Sequence, residues 1–172
     1  MLSIRARFFA TALALVFAGS TSGFAAEGDA TEALLKAAKF DYKVLKPGIF
    51  RVVFETPEGV SVLIVEESKM GWKDSKGVDV LSVVVMTQCY VTPADYKPTS
   101  AVLTWTSETN GNLKFGSINS YKDNDGATHF LRNGSLFLQN LEMEQFVNLA
   151  AICHYQKFEI AKKLKALVEA TN

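Results

Sequence analysis

The chain has 172 residues, of which 48% are apolar and 21% charged, a composition typical of one packed globular domain rather than a disordered chain. Lys plus Arg and Asp plus Glu both number 18, so the formal net charge is zero. Nucleic acids and anionic membranes are held mainly by clustered Lys and Arg side chains that neutralise phosphates. We therefore expect the chain to bind neither.

The N-terminus has the three-part order of a secretory signal peptide. Arg5 and Arg7 precede an apolar stretch over residues 8–18, and small residues follow it. Cleavage after Ala25 would remove two basic residues and no acidic ones, which leaves a net charge of −2. We expect a mature single domain of residues 26–172 that is secreted, in the bacterial periplasm, with no membrane-spanning segment after signal removal.

The first half of the mature chain predicts a helix followed by strands. The stretch "DATEALLKAAKF" is amphipathic, and Asp29 or Thr31 can cap the helix. Residues 49–55 and 60–66 alternate around T-P-E-G, which predicts a β-hairpin. Residues 78–90 are apolar on both faces, which predicts a strand at the sheet centre. Such a strand is covered on both sides, or covered on one side and paired with another molecule.

The second half predicts a helix, a second hairpin and a long final helix. The helix spans residues 99–109 and ends before Gly111. The stretches "NLKFGSINSY" and "ATHFLRNGSLFLQ" predict two strands joined by residues 122–126, and residues 141–170 form a helix without Gly or Pro. The order α-β-β-β-α-β-β-α indicates an α+β fold, with helices packed on an antiparallel sheet of about five strands.

This order and its local sequence resemble the YbjN-type domain, whose fold is similar to the class I chaperones of type III secretion. The likeness lies in "LLKAAKFDYKVL", in "IFRVVFETPEGVSVLIV" and in Trp105, Asn110, Phe115, Gly116 and the turn at residues 123–126. It covers nearly all of the mature chain. The resemblance implies a small α+β domain that binds or supports other proteins and often dimerises, and it implies no reaction.

The stretch "YKDNDGATHF" can be compared with the calcium loop D-x-[DN]-x-[DN]-G-x5-E. With Gly126 on the loop glycine, Asp123 and Asp125 fall at the third and fifth positions. Tyr121 and Arg132 then occupy the first and twelfth positions, where carboxylates are needed. Because Asp, Asn and Gly also suit a hairpin turn, we expect a turn here and no metal.

The cysteines and histidines show no spacing typical of a metal or catalytic site. Cys89 and Cys153 either form a disulfide or lie separately in the core. His154 adjoins Cys153, but neighbours on a helix point about 100° apart and make no nucleophile and base pair. His129 is the other histidine, and no HxH, HExxH or CxxC occurs. We expect no catalytic residue and no cofactor.

Two residues are candidates for partner binding. Lys157 lies on the apolar stripe of the last helix, where it either snorkels at a sheet edge or makes a polar contact in a groove or dimer seam. Trp72, in the polar stretch "KMGWKDSKG", either folds back onto the core or anchors a partner.

Together these features predict a non-enzymatic protein-binding module, chaperone-like or regulatory. The expected surface comprises the strands at residues 49–55 and 60–66 with the Trp72 loop, and a homodimer is one form of partner. The alternative is a binder of a small molecule or envelope component on the same face. A hydrolase whose site the sequence does not reveal is the third hypothesis.

Overall fold

The structure is a computed structural model and describes residues 28–170, so the signal peptide predicted for residues 1–25 lies outside the described residues. The helices are α1 (Asp29–Ala37), α2 (Ser100–Asn112) and α3 (Met143–Glu169). The strands are β1 (Tyr42–Lys46), β2 (Ile49–Thr56), β3 (Gly59–Lys73), β4 (Asp79–Val91), β5 (Ser117–Lys122) and β6 (Thr128–Phe137).

The α+β class with an antiparallel sheet is confirmed. The six strands of the sheet lie in the order β1-β2-β3-β4-β6-β5, and every neighbouring pair is antiparallel. The strand that the sequence does not predict is β1, whose short "YKVLK" is mostly exposed at the edge of the sheet. The strand predicted for the sheet centre is β4, which does lie there beside β3.

Both predicted hairpins form. Thr56 pairs with Gly59, so the first turn holds only Pro57 and Glu58 between the strands. Gly59 has φ 141, a backbone angle that favours glycine. In the second hairpin Lys122 pairs with Thr128, as the acidic turn predicts.

The three helices pack on one face of the sheet. Cross-strand neighbours such as Phe50, Val65 and Val85 point to this face and form one core cluster with residues of α1 and α3. A second cluster joins α2, α3, β4, β5 and β6. Burying a side chain the size of Phe146 or Leu164, both fully buried on α3, contributes about 1.5–3 kcal/mol. The long helix therefore joins the two clusters.

Two helix ends differ from prediction. Neither Asp29 nor Thr31 caps α1, because the N-cap is Gly28. The Glu67 side chain of β3 accepts hydrogen bonds from the backbone N–H of Gly28 and of Thr31 instead, so a tertiary contact replaces the local cap. In α2 the predicted start is confirmed, with a side-chain cap at Thr99, but the helix continues through Gly111 to Asn112.

Within the described chain, no helix combines the length and the apolar character needed to cross a membrane.

Candidate functional site

The face of the sheet opposite the helices is uncovered by any described residue. It carries half-exposed apolar side chains at Val60 (51% exposed), Val62 (40%), Trp72 (51%) and Phe137 (55%). Val60 and Val62 lie near the start of β3, whereas Trp72 lies near its end and contacts Phe137. We call this surface the open face.

The register shows how the open face is composed. Ile64 of β3 lies opposite Met86 of β4, and both point to this face. In the same row Arg51 of β2 pairs with Ile64 on one side, and Asn133 of β6 pairs with Met86 on the other. Side chains directly opposite one another on antiparallel strands are within contact distance. The row is thus apolar in the middle and polar towards the sheet edges.

Trp72 lies in strand β3 and not in a loop, so that part of the prediction is wrong. The pairing of β3 with β4 shifts between Lys69 and Lys73, and Gly71 has φ 79 within this irregular stretch. The bulge explains why a glycine- and lysine-rich sequence belongs to a strand. The Trp72 ring meets Phe137 edge to face at 6.4 Å between centroids. Trp72 therefore stands on the open face and does not enter the core.

Lys157 lies at the other end of β3. Its Nζ donates a hydrogen bond of 3.0 Å to the backbone oxygen of Val60, and it stands 5.4 Å from the centre of the Phe158 ring. Val60 and Trp72 are twelve residues apart on one strand, which corresponds to about 40 Å. The structure thus does not bring the two predicted partner-binding residues together.

His154 of α3 is fully buried. Its Nδ1 lies 2.8 Å from the Ser61 hydroxyl and its Nε2 2.7 Å from the Thr56 hydroxyl. The pKa of His154 is lowered, chiefly by burial and further by the nearby Lys157. Because Ser61 is also fully buried, a substrate has no access to its oxygen. The arrangement fastens α3 to the first hairpin.

Cys89 and Cys153 are free thiols in the core and are not joined in the structure. Burial raises the pKa of each thiol to about 11. At neutral pH both are protonated, and the thiolate is the form that acts as a nucleophile.

Sequence reasoning missed a buried cation, Arg132 of β6, which is fully buried. Its Nε donates to Gln156 at 2.7 Å, and one terminal nitrogen donates to the carbonyl oxygens of Lys114 at 3.3 Å and Phe115 at 3.5 Å. The other terminal nitrogen has no partner among the described residues. The pKa of Arg132 is lowered chiefly by burial. The guanidinium holds the segment before β5 against α3. The signal for its burial in the sequence was the two-residue period of β6, which places Arg132 on the same face as the buried Phe130.

The acidic stretch forms the turn between β5 and β6. Asp123 accepts hydrogen bonds from the backbone of Asp125 and Ala127, and its other oxygen lies 2.7 Å from His129 Nε2. The His129 ring stacks on Tyr121 at 4.8 Å. Over residues 28–170, no group of three or more His, Cys, Asp or Glu side chains is placed to hold a metal ion.

A cavity of about 700 Å³ lies where α3 passes the end of β6. The apolar residues of its lining include Leu136, Leu149, Ile152, Phe115, Phe137 and Tyr155. The polar residues of its lining include Gln139, Asn140, Gln145 and Asn148. Apolar cavities of this size with a few polar groups are typical of ligand sites. No sequence motif indicated it, because its walls come from three separate segments.

Comparisons with protein-family models, with curated proteins and with solved structures found no match for this chain. The resemblance to the YbjN-type domain therefore stays a hypothesis carried by the quoted residues.

Proposed function

We propose that this chain is a secreted, periplasmic, non-enzymatic protein-binding module of the YbjN type, with a chaperone-like or regulatory role. The observation that carries the proposal is the open face, where a six-stranded sheet has helices on one side only. Large apolar patches on soluble proteins mark interaction surfaces. The fully buried Ser61 and His154 give no support to a hydrolase.

Trp72 is the strongest anchor for a partner on this face. Tryptophan is enriched among residues that dominate binding energy. Aromatic side chains bury about 150–250 Å² each, so a half-exposed ring such as Trp72 has roughly 75–125 Å² left to bury. At about 25 cal/mol per Å², covering that area would contribute about 2–3 kcal/mol.

Affinity capture from periplasmic extract, read by mass spectrometry, tests the proposal. The bait is compared with a double variant, Trp72→Ser with Val62→Ser, which removes two exposed apolar groups of the open face. Leu103→Ser is the matched control, because Leu103 is 59% exposed on α2. A protein retained by the unchanged chain and the control but lost by the double variant is expected. Equal recovery with all three baits would contradict the proposal.

A second candidate, a binder of a small molecule or envelope component, is favoured by the cavity beside β6. Its volume of about 700 Å³ lies within the range of small-molecule sites. This cavity lies beside α3 and not on the open face where the sequence suggested such binding. A small apolar compound that raises Tm, and loses this effect in Asn148→Trp, would favour the second candidate.

A further inference from the structure

Strand β6 is longer than its neighbour β5. The ten residues of β6 include six, residues 128–133, that pair with β5, the last pair being Ser117 with Asn133. Residues 134–137 pair with β4 on one side. On the other side no described strand pairs with them. Because Phe115 and Gly116 lie against Gly134, the free edge of the sheet comprises residues 135–137.

The ladder with β4 shows where the backbone groups of this free edge point. The Leu138 N–H donates to the Leu81 oxygen at 2.9 Å, in register with the pairs that precede it. In an antiparallel ladder, hydrogen-bonded and non-hydrogen-bonded pairs alternate. Ser135 and Phe137 are therefore in non-hydrogen-bonded positions relative to β4. Their N–H and C=O groups point to the free side, as the unpaired backbone groups of an edge strand do.

The cavity occupies the space beside this free edge. Leu136 of β6 lines it from the sheet, and Phe115, two residues before β5, stands at one end. Asn148, Ile152 and Tyr155 of α3 line the opposite wall. If β5 continued past Ser117, its side chains on the helix side would fill this space. The unpaired backbone groups of Ser135 and Phe137 and the cavity beside them could together accommodate one further strand.

We propose that the free edge of β6 binds an extended, uncharged peptide segment of another protein as an added strand. The peptide backbone pairs with Ser135 and Phe137, and one large apolar side chain on the helix side enters the cavity. The inference deepens the proposed function, on whose protein-binding role it rests. It names a site on the sheet edge, whereas Val62 and Trp72 lie on the open face, where the Trp72 ring meets the Phe137 ring.

The charge of the lining specifies the ligand. Within residues 28–170, no acidic or basic side chain lines the cavity, and its polar residues include Gln145 and Asn148. A charged side chain entering there would lose water without gaining a counterion. A neutral amphiphile could fill the cavity, but it would leave the backbone groups of Ser135 and Phe137 unpaired. A peptide satisfies both, as in other cases of strand addition.

The probe is a capped heptapeptide with a central phenylalanine flanked by alternating serine and threonine. The measurement is amide hydrogen exchange by NMR on the whole chain. We expect the peptide to slow exchange at the Ser135 and Phe137 amides at least tenfold. Two further peptides carry N-methyl groups, one on the backbone nitrogens of its odd-numbered residues and the other on those of its even-numbered residues. Only one of these two sets of N–H groups faces β6, so one peptide should lose at least tenfold in affinity while the other binds normally.

A pair of variants separates the groove from general surface binding. Asn148→Trp should fill the cavity from an exposed helix position and abolish peptide binding. Ala166→Trp, exposed on the same helix away from the cavity, should bind the peptide normally. Val62→Ser, a substitution on the open face away from Phe137, should also bind normally, so failure here is distinguishable from failure of the open face.

Four results would overturn the inference. The first is that the peptide does not bind at millimolar concentration. The second is that it binds without slowing amide exchange at Ser135 and Phe137, which would indicate a pocket for neutral amphiphiles without strand pairing. Protection of both amides without peptide would show that the chain's own residues 1–27 or a second copy already occupy the groove. Equal tolerance of both methylated peptides would exclude strand pairing.

Discussion

The pH dependence of stability tests the environment of His154. Burial beside the hydroxyls of Ser61 and Thr56 lowers its pKa below the ordinary 6.5; Lys157 lowers it further, while Glu58 opposes the shift. The folded protein therefore resists a proton that the unfolded chain accepts. This contribution to stability is fully present above pH 6.5 and is lost as the pH falls from 6.5 towards the lower folded pKa.

The uptake of one proton on unfolding limits how steeply the free energy of unfolding can change with pH. Unfolding takes up at most one proton at His154 in this window, so the free energy of unfolding falls by at most about 1.4 kcal/mol per pH unit. For a domain of this size, that is a fall in Tm of roughly 3–6 °C per pH unit. Carboxylates such as Asp123, whose pKa is lowered chiefly by its bond to His129, titrate below this window.

Urea unfolding between about pH 7.5 and pH 5.5 measures the slope. His154→Gln keeps an amide that can bond a hydroxyl but does not titrate, and it should flatten the slope. A slope that is unchanged in His154→Gln would refute the reasoning.

Three further predictions concern single residues. Gly116 has φ 133, and an added Cβ would overlap a neighbouring carbonyl oxygen. Gly116→Ala should therefore lower the free energy of unfolding, measured in urea, by about 2–5 kcal/mol. Gly111 of α2 faces open space, so Gly111→Ala should raise the free energy of unfolding by up to about 1 kcal/mol. Cys89 and Cys153 should resist a thiol reagent in the folded protein and both react after unfolding; no reaction after unfolding would reveal a disulfide. Lys157→Leu should lower stability by about 0.5–1.5 kcal/mol through the lost bond to the hairpin and leave partner capture unchanged. Lost capture at unchanged Tm would instead assign Lys157 to the partner surface.

The elements that the sequence predicted well are those with local causes. The first hairpin depends on Pro57 and Gly59, which set the backbone angles of the turn themselves. The long helix was predicted over residues 141–170 and runs from Met143 to Glu169, because its apolar period and lack of breakers are properties of one segment. Strand β1 was missed because a short, exposed edge strand is held by pairing with β2 more than by its own pattern.

The candidate sites depend on contacts distant in sequence. The sequence predicted Trp72 in a loop, because the pairing with β4 that extends β3 past Gly71 has no signal in the local sequence. The burial of His154 follows from packing against a hairpin more than 90 residues earlier. Likewise the residue type alone gives no reason to distinguish Arg132 from a surface arginine, and only the packing of α3 over β6 buries it.

By itself the sequence determined the α+β class, the two hairpins and the long helix, because period, turn residues and helix breakers act over a few neighbouring residues. It also determined that "YKDNDGATHF" is a turn, since essential calcium ligands are absent from it. Only the tertiary structure decided that all three helices share one face, which leaves the open face uncovered. It alone decided that β5 stops short of β6, because strand lengths in a sheet depend on what each neighbour pairs with.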